Sequence, residues 1–288
     1  MRTGNEIRKK KDRRTAGLIV IVLLAAGVAG YFLFAGDEAT VLETTAISES
    51  VPPPVAPLAP VPAPVPEVVM PEPPEPSESP EPPILHPIEP EVPDEPLPEL
   101  GGSDKPVEKA LGEIMGKKGV SLMIPEELIY HIVVTVDNLP RKHLPASIVP
   151  LKRAEDVFVV EGRDETLAIG AQNARRYGAY AAAIKATDSA KLVEFYRRFY
   201  PLFQSVYREL GYAKANFNDR LVTAIDDLIA APDPTPPIRL AQPRVLFEYA
   251  DPDLESRSAG QKIMMRIGQE NAAAVKAKLR EIRAQIVR

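Results

Sequence analysis

Between Val51 and Leu100 the chain carries 20 of its 32 prolines, and no packed domain can be threaded through that stretch. Proline removes a backbone donor and holds φ near −65°, so neither helix nor strand ladder propagates and the segment is expected to follow extended polyproline II. Ten acidic residues in the same stretch, with no Lys or Arg among them, repel one another and stretch it further. At about 3.1 Å per residue, a run of this length reaches roughly 150 Å. It reads as a spacer, in preference to a ligand for SH3 or WW readers. The folding unit is then much shorter than the 288-residue chain.

Charge divides along the same boundaries. Met1–Arg14 holds seven basic residues against two acidic ones. Asp37–Asp104 holds fifteen acidic residues and no basic one, and Lys105–Arg288 holds 28 basic against 23 acidic. The net charge of −5 therefore conceals a basic–acidic–basic pattern. The absence of cysteine excludes a disulfide framework, Cys-ligated zinc, an iron–sulfur cluster and a thiol nucleophile. Three histidines, His86, His131 and His143, leave little for a metal site, and no metal or cofactor is expected.

Ala16–Ala35 is uncharged and predominantly apolar, and as a helix it spans about 30 Å, the thickness of a bilayer core. Tyr31, Phe32 and Phe34 stand where an interfacial aromatic belt belongs, and the basic cluster before the run assigns the N-terminus to the cytoplasm. A cleaved signal peptide would have an apolar region of only about 7–15 residues followed by a small-residue site, which fits less well. The expected layout is a cytoplasmic basic tail (1–15), a single transmembrane helix (16–35), a disordered acidic proline-rich linker (36–104) and a periplasmic domain (105–288). In a Gram-negative cell that is an inner-membrane protein, and its topology disfavours a nucleic-acid partner.

The C-terminal domain reads as mainly α with one or two small β-hairpins. Helices are expected over Pro106–Gly116, Pro125–Leu139, Ala171–Ala186, Asp188–Leu210, Asn218–Ala230, Asp253–Ile267 and Gln269–Val287. Val157–Val160 with Thr166–Ile169 reads as a hairpin, and Ile238–Leu240 and Val245–Tyr249 as short strands. The clearest pattern is Leu192, Phe195, Phe199, Leu202, Phe203, Val206 and Leu210, stepping at three and four as one apolar helix face, with Tyr196, Tyr200 and Tyr207 flanking it. Pro201 should kink that helix and free the carbonyl of Arg197.

Candidate binding residues follow from local chemistry. Arg197 and Arg198 sit beside the expected kink. Asn216-Phe-Asn-Asp-Arg-Leu221 places Asn and Asp side chains just before a helix, where capping is the simpler role; an exposed polar site made by Asn218, Asp219 and Arg220 is the alternative. Lys262 ends Ser258-Ala-Gly-Gln-Lys262, which lacks the spaced glycine and the Ser/Thr of a phosphate loop. Lys276, Arg280 and Arg283 surround the narrow apolar stripe of the last helix, either complementing its dipole or offering a docking face for an anionic envelope polymer or an acidic periplasmic protein. No catalytic residue is nominated.

Several motifs taken together resemble a proteobacterial family catalogued as domain of unknown function 3014. They are Val136-Asp-Asn-Leu-Pro-Arg141, Phe195-Tyr-Arg-Arg-Phe-Tyr-Pro-Leu-Phe203, Phe217-Asn-Asp-Arg-Leu221, Ser258-Ala-Gly-Gln-Lys262 and Lys276-Ala-Lys-Leu-Arg-Glu-Ile-Arg283. The resemblance runs from about Pro106 to the C-terminus. It implies an inner-membrane protein with an N-terminal anchor, a variable linker and a C-terminal domain, and it implies no activity. The expected function is a non-catalytic binding or scaffolding module for envelope components; the alternative is an envelope hydrolase working through a pair of carboxylates.

Overall fold

The computed structural model describes residues 83–90 and 96–287. The expected tail, membrane span and most of the linker lie outside the described residues. Among the described residues no helix is long and apolar enough to cross a membrane.

Nine helices and four short strands are found among the described residues: α1 (Asp104–Val120), α2 (Leu128–Asn138), β1 (Val160–Glu161), β2 (Ala168–Ile169), α3 (Asn173–Arg176), α4 (Gly178–Ala186), α5 (Ser189–Glu209), α6 (Phe217–Ile229), β3 (Leu240–Ala241), β4 (Glu248–Tyr249), α7 (Pro252–Glu255), α8 (Ala259–Arg266) and α9 (Gln269–Ile286). The mainly helical expectation with two small sheets is met.

α5 organises the core. Asp188 caps it by accepting from the N–H groups of Ala190 and Lys191. Leu192, Phe195, Phe199, Phe203 and Val206 are buried, and the tyrosines expected on its flank are buried as well. Their hydroxyls explain how that is tolerated: Tyr196 donates to Asn218 Oδ1 at 3.0 Å, and Tyr200 sits 2.9 Å from Gln204 Oε1 and 3.0 Å from Asn216 Oδ1. A buried hydroxyl without a partner costs about 1–3 kcal/mol, comparable to what burying the ring contributes. The helix continues through Pro201, which lies on its exposed side. α5 packs on α2 and α9, and α9 also contacts α4 and α6.

Several boundaries differ from the sequence reading, each for a tertiary reason. The first helix runs past Gly116 to Val120, but Gly116 breaks its geometry with φ of 70° and ψ of 172°, a conformation that favours glycine. α2 begins at Leu128 and not at Pro125. Its first free N–H groups, those of Glu127 and Leu128, donate to the Asp104 carboxylate at 2.9 and 3.0 Å. The cap comes from the start of α1, so Pro125 and the acids after it do not set the boundary. The helices expected over Ala171–Ala186 and Asp253–Ile267 are each divided, at Tyr177 and before Ser258. Ser258 Oγ accepts from the Gln261 N–H and starts a new helix there.

The strands form a small layer of their own. β1 pairs antiparallel with β2, Val160 opposite Ile169, and β3 pairs antiparallel with β4, Leu240 opposite Tyr249. The two hairpins are joined where the Ile169 N–H donates to Ile238 O and the Leu240 N–H to Leu167 O, at 3.0 and 2.8 Å. Leu240, Tyr249 and Met265 form a minor apolar cluster with Phe158, Ile169, Ile238 and Phe247 around it, separate from the main helical core. This layer lies against the C-terminal end of α8.

Candidate functional site

Most of the polar residues singled out in the sequence hold the fold together. Arg220 pairs with the buried carboxylate of Asp137, its Nε 2.9 Å from Oδ1; Arg141 reaches the other oxygen at 2.6 Å, and the Tyr212 hydroxyl donates to it at 3.2 Å. Lys262 is buried and pairs with Glu255. Lys276 is 5% exposed and donates to Ala231 O at 2.7 Å and to Asp233 Oδ2 at 2.8 Å. Arg283 pairs with Asp226, and Arg280 is exposed. The basic residues of α9 thus point to different partners and do not make one free face. Arg197 reaches Gln285 O at 3.4 Å, and the Arg198 guanidinium lies 5.5 Å from the Phe199 ring centre.

The helix-start cluster does something the sequence did not suggest. Asn216 is the N-cap of α6, accepting from the Asn218 N–H. Asn218 is fully buried, and its amide nitrogen donates to His86 O at 2.9 Å and to Ile286 O at 3.2 Å. Asp219 accepts from the backbone N–H groups of Leu85 and His86 at 3.1 and 2.7 Å. The end of the proline-rich stretch is therefore fixed onto α6, with Ile88, Leu97 and Leu100 packed against the main core. The folded unit begins before Lys105. Its entry point and the last turn of α9 meet at one asparagine.

The motif Ser258–Lys262 likewise has a packing explanation. Ser258 Oγ donates to Asp227 Oδ2 at 2.6 Å, Gln261 Nε2 donates to Asp227, and the Gly260 N–H donates to Leu139 O at 2.9 Å. Burial pushes the Asp227 carboxyl up, against the Ser258 hydrogen bond and the charge of Arg220. The segment seats α8 between α2 and α6.

The other end of α9 carries the cavity. A space of about 480 Å³ lies at the seam between the strand layer, the proline loop after α6 and the α8–α9 turn. Its lining includes Ile169, Pro236, Ile238, Met265 and Ala272. Gly268 makes the turn with φ of 87°, and a Cβ there would come 2.8 Å from the Ala174 Cβ. Asn173, buried in the wall, donates to Gly170 O at 2.9 Å and accepts from the Val159 N–H, fixing α3 to the strand layer.

Three charged residues border this cavity: Glu161, Asp233 and Arg266. Asp233 is paired with Lys276, and Glu161 is exposed and accepts from the Ala171 N–H at 3.1 Å. Arg266 is different. It is 2% exposed, its guanidinium lies 5.4 Å from the Tyr249 ring centre and 5.9 Å from that of Phe158, the Tyr249 hydroxyl is hydrogen-bonded to it, and its Nε has no hydrogen-bond partner. No carboxylate among the described residues forms an ion pair with it. Its charge also acts on the tyrosines around it: burial pushes Tyr177 up to about 12, and Arg176 and Arg266 oppose that shift. Sequence reading passed over Arg266, although a single charge inside Ile263-Met-Met-Arg-Ile267 is a signal that the charge is being buried.

A second cleft, of about 730 Å³, is bordered by Lys152, Arg153, Arg175 and Arg176. There Arg176 is committed to the loop beside it, donating to Glu155 O and Asp156 O at 2.9 and 2.8 Å. The first cavity, with a buried cation that no acid balances, is the better candidate site.

The family model described as "Protein of unknown function (DUF3014)" matches residues 128–283. No curated protein and no solved structure matches the chain. The matched region includes every charged residue of the cavity wall and the helix-start residues Asn216 to Arg220, but not their partners Leu85, His86 and Ile286.

Proposed function

The chain belongs to this family of proteins of unknown function, and from that premise we propose that it is a membrane-anchored periplasmic binding module. Its C-terminal domain takes up a component of the cell envelope in the cavity beside Arg266. The observation that carries this reading is a largely apolar space of about 480 Å³ bordered by three charged residues, Glu161, Asp233 and Arg266. Concave apolar sites with a few placed polar groups are what small ligands and peptide ends occupy. The position of the cavity supports the reading. α9 runs from Gln269 on the cavity wall to Ile286 at Asn218, a span of about 27 Å at 1.5 Å per residue. The spacer enters at one end of that helix, and the cavity opens at the other.

Co-sedimentation of the full chain in detergent with purified peptidoglycan, and separately with lipopolysaccharide, tests this. Ala171→Trp is the matched variant, because Ala171 is exposed and lines the cavity, so an indole there obstructs the space without entering the core. Retention by one of the two materials, reduced in Ala171→Trp, is expected. Retention by neither, or retention indifferent to the indole, overturns the reading.

The hydrolase alternative has two candidates, since Glu161 and Asp233 both border the cavity. Lys276 holds both oxygens of Asp233, at 2.9 and 2.8 Å, which favours a structural carboxylate over a proton-transferring one. Product release from peptidoglycan that disappears in both Glu161→Gln and Asp233→Asn would favour hydrolysis instead.

A further inference from the structure

We infer that the second cleft, bordered by the loop after Leu151 and by α3 and α4, is a docking surface for an anionic phospholipid bilayer. Lys152 and Arg175 meet headgroup phosphates, and Val157 enters the boundary with the acyl chains. This surface is separate from the cavity at the start of α9 and does not depend on what that cavity holds.

The cations are exposed and held in place from two directions. Lys152, Arg153, Arg175 and Arg176 border the cleft against two acids, Glu155 and Asp156, an excess of two positive charges. Lys152 and Arg175 are both exposed, and neither forms an ion pair among the described residues. The backbone of Lys152 is fixed on both sides: its N–H donates to Leu122 O at 2.9 Å, and its carbonyl accepts from the Tyr180 hydroxyl at 2.9 Å. Arg176 draws the following turn onto α3 through the carbonyls of Glu155 and Asp156. More positive charge lies close by in sequence, since Lys117 and Lys118 are exposed in the last turn of α1, just before Ser121 on the cleft wall.

The same turn presents the apolar element. Asp156 takes a left-handed conformation with φ of 63°, and Val157 beside it, at 77% exposed, is the most exposed large apolar residue among the described residues. Val157 also borders the cleft. A soluble polyanion would satisfy the cations and leave that side chain in water. An anionic bilayer offers both halves of the match, phosphates at its surface and hydrocarbon directly beneath. At about 730 Å³ the cleft has room for a whole headgroup.

The chain has no tryptophan, so Val157→Trp supplies a single fluorophore at the contact. The full chain with this substitution is reconstituted into nanodiscs of phosphatidylcholine, alone or mixed with phosphatidylglycerol, with and without brominated acyl chains. Emission should shift to the blue and be quenched by bromine in the phosphatidylglycerol discs only. Lys152→Gln with Arg175→Gln, both at exposed positions, should lower the docking equilibrium about thirtyfold, the effect of two basic residues near an anionic surface. Leu85→Trp, placed in the otherwise unsubstituted chain, is the control. Leu85 is 69% exposed and adjoins His86 at the Ile286 end of α9, whereas α3 is tied through Ala174 O to Asn271 at the other end, so its indole should stay unquenched. In the unsubstituted chain, phosphatidylglycerol should slow hydrogen exchange over residues 152–159, which gives the answer without an indole. Equal responses in both lipids, quenching at Leu85 to the same degree, or docking unaffected by the double substitution overturns the inference. Release by free glycerol phosphate would also overturn it, in favour of a soluble phosphate ligand.

Discussion

The carboxylate of Asp219 accepts the backbone N–H of His86 at 2.7 Å, across 133 positions of sequence. The neighbouring Leu85 N–H goes to the same carboxylate, so the proline-rich stretch ends in a fixed joint and not in a loose hinge. Asp219→Asn should open that joint while leaving the bundle intact. Hydrogen exchange at Leu85 and His86 is expected to rise about tenfold for each 1.4 kcal/mol lost from the pair of charge-assisted bonds. Exchange in α5 should not change. Unaltered exchange at the two amides would mean the joint is held by the apolar contacts of Ile88 and Leu97 instead.

Asp137 makes a different kind of joint, one carboxylate between two guanidinium groups. It is 6% exposed, and Arg220 opposite it is largely shielded. Asp137→Ala leaves those cations facing a buried gap, and chemical denaturation should report a loss of about 3–5 kcal/mol. Asp137→Asn should cost less, because it can still accept from Arg220.

On α9, two basic residues a turn apart should behave in opposite ways. Lys276→Ala removes a buried stem and leaves Ala231 O without its donor, a cost of about 2–3 kcal/mol in denaturation experiments. Arg280→Ala, at an exposed position, should stay within about 0.5 kcal/mol of wild type. Similar losses at both positions would contradict the burial pattern of the helix.

Alkali should unfold the domain through its tyrosines. Burial pushes Tyr177 and Tyr207 up to about 12, and raises Tyr180, Tyr196, Tyr200 and Tyr249 in the same direction. In the unfolded chain they ionise near 10, so between the two values the unfolded state binds fewer protons than the folded one. Stability is therefore intact below pH 10 and falls as pH rises through about 12. Phenolate absorbance should rise for these six together with the loss of helical circular dichroism. Early, independent ionisation of the six would refute their burial.

The parts of the fold that sequence could show are those written within one helix. The three-and-four spacing from Leu192 to Val206 marks an apolar face directly, and Asp188 stands one position before α5 as its cap. The parts it could not show are made by partners far along the chain. Asp104 caps α2 from 24 residues upstream, which moves the helix start past Pro125. Lys276 looks like surface charge until Asp233 is brought to it from the proline loop after α6. Capping from the Asn216 segment is legible and Asn216 supplies it, but nothing local shows that Asn218 and Asp219 bind the segment at Leu85 and His86. The cavity is least legible of all. Its wall combines residues from the hairpin, the proline loop and two helices, and only the lone charge of Arg266 in an apolar run hints at it.

Asn218 donates both to His86 O, where the chain enters the folded unit, and to Ile286 O, where the last helix ends. Entry and exit therefore lie beside each other, separated by one amide group. A unit with adjacent termini can be cut from one host and spliced into a loop of another without stretching either chain. It can also be circularly permuted, with new ends placed in an exposed loop such as the turn between β1 and β2. On this geometry the domain can be handled as a portable cassette, its two ends already side by side.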